Sequence, residues 1–152
     1  MAAAPAPTPR QRKQKGSSYV LDEQVGFLLR QVSQRHTVIF AEHIGDDLTA
    51  TQWAALSKLH EKGPCTQNLL GRLTAMDAAT IKGVVDRLSK RGLTETHFDP
   101  DDARRLVVTL TDPGQEVVNR ALPNAIAISD ETIAPLSPGE RQMFLELLKK
   151  LA

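Results

Sequence analysis

Residues 76–92 read MDAATIKGVVDRLSKRG, and the two faces of this stretch differ in kind. At helical spacing, Ile81, Val84, Val85 and Leu88 form an apolar packing face. The other face opens with Ala78, Ala79 and Thr80 and continues through Lys82 and Gly83. It is low, with cations spaced along it. Asp77 has the chemistry of an N-cap, and Gly92 that of the left-handed residue after a helix. Such a face suits plain exposure to solvent, and it equally suits close approach to a groove. The flanking segments decide between the two.

Upstream, Thr74 to Met76 reads as a short turn, preceded by a helix from Thr66 with Leu69, Leu70 and Leu73 inward. Gly63-Pro64 stops the helix before that one, which has Trp53, Leu56 and Leu59 on its buried side. Thr49 and Gln52 make a capping box at its start. Asp46-Asp47 breaks a long first helix, on which Val25, Leu29, Val32, His36, Phe40 and His43 fall on one stripe. Phe27 and Val38 lie nearly opposite, and a helix apolar on two sides is either deep in a core or wedged between partners.

Downstream, Leu93–Phe98 and Leu106–Leu110 read as strands around a turn-rich tip, Asp99 to Ala103. Thr111 with Asp112-Pro113 starts another helix, expected to run to about Ala134 and to bend at Pro123. Ser137 to Glu140 reads as a second capping box. Met143, Phe144, Leu147, Leu148 and Leu151 form the last apolar stripe.

The order is therefore mainly α with a small β-hairpin wing. Two helices joined by a short turn, the second followed by a hairpin, make a winged helix-turn-helix. The second helix of such a pair enters the DNA major groove and reads bases near its N-terminus. Small residues at the entering end let the backbone approach. Thr80 can donate, accept or touch a thymine methyl, and Lys82 can reach guanine or phosphate. Arg104 and Arg105 place two guanidiniums at the hairpin tip, where a narrow minor groove concentrates negative potential.

Charge adds a weak signal. The 152 residues carry a net charge of +1. Residues 1–18 hold four cations and no acid, and are too poor in apolar side chains to order themselves, so a disordered basic tail is expected there. The remainder, 19–152, reads as a single subunit. Its one cysteine cannot form an internal disulfide, and no stretch is long and apolar enough to span a bilayer. With no apolar leader visible at the start, a cytoplasmic location is expected. No nucleophile–base pair, phosphate loop or paired carboxylates mark an enzyme. His36, Glu42 and His43 lack the spacing of a metal site, and no cofactor or metal is expected.

The runs LTATQWAALSKL (48–59), TQNLLGRLTAMDAATIKGVVDRLSKRGL (66–93) and DPDDARRLVVTLTDPG (99–114) resemble the MarR family of bacterial regulators. Asp102 and Arg104 at the wing tip, and Val85 to Leu88 on the reading helix, are the most specific parts of the likeness. The resemblance implies a homodimer with N- and C-terminal dimerisation helices, here 19–45 and 112–152, around a winged helix at 49–111. It implies one half-site of a near-palindromic operator per subunit. By position it assigns Arg104 to the minor groove, Thr80, Lys82 and Gly83 to the base-reading turns, and Thr66, Gln67 and Asn68 to the backbone. Arg87 becomes a phosphate or structural contact. Relatives often carry arginine where this chain has Gly83.

Many members of the family are repressors released by small aromatic acids. RQVSQRHTVIF (30–40) with MDAATIKGVVDRL (76–88) resembles a subgroup that represses nicotinate-degradation genes and responds to 6-hydroxynicotinate. An aromatic or pyridine carboxylic acid is thus the expected effector, with Ser33, His36, Phe40 and Trp53 as the pocket. Arg35, Arg30 or Arg72 would meet the carboxylate. An imidazole can pair with a ring hydroxyl or a carboxylate. A hydrogen-bonded core histidine beside a core tryptophan explains the same residues. Two further alternatives stand: redox sensing through Cys65 at a helix start, and a winged helix that binds protein.

Overall fold

The computed structural model describes residues 18–152. After a short 3-10 turn at Leu21–Glu23, the order is α1 (Val25–His43), α2 (Ala50–Lys62), β1 (Cys65–Thr66), α3 (Gln67–Leu73) and α4 (Ala78–Lys90). Then come β2 (Thr94–Phe98), β3 (Leu106–Leu110), α5 (Asp112–Thr132) and α6 (Pro138–Leu151). The disordered tail expected at 1–18 lies, apart from Ser18, outside the described residues.

Helix starts follow local chemistry. Thr49 Oγ1 accepts from the Gln52 N–H while Gln52 Oε1 accepts from the Thr49 N–H, closing the capping box of α2. Asp77 caps α4, Thr111 caps α5 and Ser137 caps α6. Pro123 stays inside α5. The break after α1 is sharper than an acidic pair alone would make. Gly45, Asp46 and Asp47 are all left-handed, with φ of 78°, 52° and 52°. Arg91 Nη2 donates to the Asp46 carbonyl at 2.5 Å, and Arg120 Nη2 binds the Asp46 carboxylate at 3.0 Å. These bonds hold Asp46 in a conformation that an L-residue seldom adopts.

The core closes between α2, α3, α4, β3 and α5 around Leu56, Leu70, Ile81, Val84, Val85, Leu88, Val108 and Val118. All four residues expected on the packing face of α4 are buried. Gly71 sits where α3 crosses α4, and a Cβ there would meet Ile81 Cγ2 at 3.0 Å. The crossing thus depends on the missing side chain.

Several expectations are corrected. The sheet has three strands in the order β1-β3-β2, because Cys65–Thr66 pairs with Val107–Val108. Two residues are too few to show alternation, so β1 left no sequence signal. On α3, Leu70 and Gly71 face inward while Leu69 and Leu73 are exposed. A helix of seven residues with a close crossing buries one narrow face. Trp53 is half-buried, packed at the edge of the core, and Gln52 and Ala55 join Leu56 and Leu59 as the buried residues of α2. On α1 only Ile39 is buried, and Val25, Leu28, Leu29 and Val32 stand open, Val25 at 67% exposure. None of α6 is buried, and it lies largely free of the other elements.

Candidate nucleic-acid interface and effector site

The short turn between α3 and α4 is built by local bonds. Met76 N–H donates to the Gly71 carbonyl at 2.9 Å, and Ala75 takes a left-handed φ of 54°. Asp77 Oδ1 then accepts from the Thr80 N–H at 2.7 Å. That bond, first among the causes, holds the Asp77 carboxyl below its usual range. The result is an α4 whose first turn, Ala78, Ala79 and Thr80, is exposed and low. Farther along, Lys82 Nζ pairs with Asp86 at 2.8 Å on the exposed face of α4.

The wing carries its own order. Asp102 Oδ1 accepts from the Arg104 backbone N–H at 3.0 Å and from Arg104 Nε at 3.2 Å. Those two bonds, the backbone one first, lower the Asp102 carboxyl. The Arg104 side chain is nonetheless 91% exposed, so the acid orients the guanidinium without covering it.

Antiparallel pairing of β1 and β2 with β3 sets this tip beside the start of α3. Between them lies a cleft of about 340 Å³ lined by Thr66, Gln67, Asn68, Arg72, Arg104, Arg105 and Leu106. Three arginines, two amide side chains and one hydroxyl residue line one space with no acid among them. That donor set fits phosphate oxygens. Arg72, expected at the effector site, belongs to this face instead. Its place was not legible because helical spacing alone does not say which side of α3 meets the wing.

The five residues Ser33, Arg35, His36, Phe40 and Trp53, expected to hold the effector, are not gathered into one cavity. His36 Nδ1 lies 2.8 Å from Thr132 Oγ1, and its ring is 6.5 Å from that of Phe40. Arg35 caps the end of α5, donating to the carbonyls of Thr132 and Glu131. His43 Nε2 meets Glu131 at 3.0 Å. The adjacent apolar hollow of about 200 Å³ is lined by Val32, Arg35, Thr132, Ile133, Pro135, Leu136 and Phe144. Of the five residues it includes only Arg35. Ser33 and Trp53 lie elsewhere, and Thr132 was not foreseen, since its role depends on α5 packing along α1.

Cys65 sits in β1 and not in a helix, and Thr66 is the cap of α3. Burial pushes its thiol up, away from the thiolate. Cys65 therefore gains no thiolate stabilisation from a place within a helix start. Among the described residues no cluster of His, Cys, Asp or Glu has the makings of a metal site, and no helix is long and apolar enough to cross a membrane.

Comparison with known proteins agrees with this geometry. The MarR family profile matches residues 48–106. The repressor NicR of Pseudomonas putida is 40% identical over 145 residues, spanning 95% of this chain and 92% of its own length. The chain belongs to the MarR family. A probable transcriptional regulator from Pseudomonas aeruginosa superposes with a TM-score of 0.86 at 54% identity, over 88% of this chain and 100% of the other. BpsR of Bordetella bronchiseptica, whose structure concerns regulation of its DNA binding by 6-hydroxynicotinic acid, gives a TM-score of 0.84. It is 40% identical, over 88% of this chain and 96% of its own. The fold is thus the MarR winged helix, in the branch that resembles the nicotinate-type regulators. The chain is a MarR-type transcriptional regulator and not an enzyme.

Proposed function

We propose that this MarR regulator is a repressor that grips a near-palindromic operator as a homodimer and is released by a small aromatic or pyridine carboxylic acid. The cleft between α3 and the wing carries the DNA reading, because three arginines and no acid line it beside an exposed, low reading helix. Thr66, Gln67, Asn68, Arg72 and Arg105 hold phosphates. Arg104 enters the minor groove, and Ala78, Ala79, Thr80, Lys82, Gly83 and Arg87 face the major groove. Lys82 exchanges Asp86 for DNA on binding.

The dimerisation helices are α1, α5 and α6. Their open apolar residues, such as Val25, Leu29, Met143 and Leu147, need a cover, and a second copy offers the matching surface. The likeness to NicR supports repression, and that to BpsR makes 6-hydroxynicotinate the first effector to test. The end of α5 is the effector seat. There Arg35 and Thr132 line an apolar hollow, which suits a ring bearing one or two polar groups, and His36 stands behind Thr132 through the contact of Nδ1 with Oγ1.

The test is a titration of the full chain with duplex DNA from its own promoter region, across a range of salt, with and without 6-hydroxynicotinate. Affinity should fall steeply as salt rises. The acid should release the DNA and raise the melting temperature of the free protein through binding linkage. Absence of any duplex complex sinks the DNA reading. A complex indifferent to pyridine and benzoic acids sinks only the effector.

A further inference from the structure

On the outer side of α4, Gly83 has no side chain of its own but is not left open. The guanidinium of Arg87, one turn later, lies across it. A Cβ built at Gly83 would meet Nη1 of Arg87 at 3.4 Å, Nη2 at 3.6 Å and Cζ at 3.8 Å. Similar distances to both terminal nitrogens mean that the fork rests over the glycine. The direction has a physical cause. Helical side chains lean toward the N-terminus, so a residue covers the surface one turn before its own Cα. The missing side chain keeps this face low beneath the guanidinium, and a methyl there would meet it in ordinary van der Waals contact.

This fork is also uncommitted. Among the described residues Arg87 forms no ion pair, and the neighbouring Asp86 is taken by Lys82 at 2.8 Å. We propose that Arg87 reads a guanine from the place that Gly83 vacates, an assignment that rests on the DNA-binding reading above. A guanidinium matches the O6 and N7 acceptors of guanine with two parallel N–H groups, which an ammonium cannot do. Carried forward by one turn, it stands close behind the exposed entering end of α4. Gly83 keeps the helix low in the groove beneath the arginine. Arg87 thereby becomes a specificity-determining residue and not a plain phosphate contact.

The experiment begins with selection by the full chain from a pool of randomised duplexes. The wild type, Arg87→Lys and Gly83→Ala are then titrated against the preferred duplex and its single base-pair variants. The wild type should favour guanine at one position of each half-site by roughly 5- to 150-fold. Arg87→Lys should erase that preference and spare the others. Gly83→Ala should raise the melting temperature, since alanine is the better helix former, and keep the guanine preference, since its methyl meets the guanidinium in ordinary contact. A loss of affinity equal for every duplex, with a salt slope reduced by about one, makes Arg87 a phosphate contact and overturns the proposal. So does unchanged discrimination in Arg87→Lys. Failure of the wild type to enrich any duplex removes the DNA-binding reading itself, and this inference with it.

Discussion

Arg104 shows how one residue serves both order and access. Asp102 fixes its backbone and its Nε, while the rest of the guanidinium stays in solvent. Arg104→Ala should weaken operator binding several-fold or more and leave the melting temperature nearly unchanged, as titration and thermal unfolding will measure. His36 Nδ1 meets Thr132 Oγ1 at the end of α5, the proposed effector seat. His36→Ala should blunt release of DNA by the effector more than it lowers DNA affinity, a split visible in titrations with and without the acid. Cys65 is the opposite case. Its thiol is raised by burial, so alkylation should be slow at neutral pH and accelerate only as the medium becomes strongly alkaline. Peroxide should not release DNA, and Cys65→Ser should keep the wild-type response.

At the scale of elements, the junction between wing and α5 is set by a glycine. The Thr111 N–H donates to the Leu93 carbonyl at 3.1 Å, and its Oγ1 donates to the Gly92 carbonyl at 2.6 Å. This draws α5 so close that a Cβ on Gly114 would lie 2.0 Å from the Leu93 carbonyl oxygen. Backbone cannot swing aside as a side chain can. Gly114→Ala should therefore destabilise by about 1–3 kcal/mol or more, despite the helix propensity of alanine, and thermal unfolding checks it. Such a loss would also shift the wing relative to α4, so operator affinity should fall with stability.

For the whole molecule, the decisive feature is the uncovered apolar surface of α1 and α6. A single chain gains nothing from Val25, Leu29, Val32 or Leu147 in water. Val32→Asp or Leu147→Asp should shift sedimentation toward a single subunit and lose operator binding, because two half-sites need two joined readers. A variant that stays dimeric and binds DNA as wild type would refute α1 and α6 as the dimer surface. Within each chain Asp46 links three elements, since from the end of α1 it ties α5 through Arg120 and the end of α4 through Arg91.

Periodicity and capping chemistry alone sufficed for the order of elements, the packing face of α4, the hairpin and its arginine tip. These are local properties: a side chain's spacing, a cap's oxygen, a turn's glycine act within a few residues. The family likeness was legible for the same reason, since its motifs lie in continuous runs. Contacts across the chain were not legible. They include the two-residue strand β1, Arg72 in the DNA-side cleft, Thr132 beside His36, the left-handed Asp46 held by two arginines, and the close approach at Gly114. Each is decided by elements meeting after long stretches of intervening chain, where spacing carries no information about which faces touch. The exposed stripe of α1 shows the boundary most plainly. The sequence called for burial on two sides, and the tertiary structure decided that this chain supplies little of it.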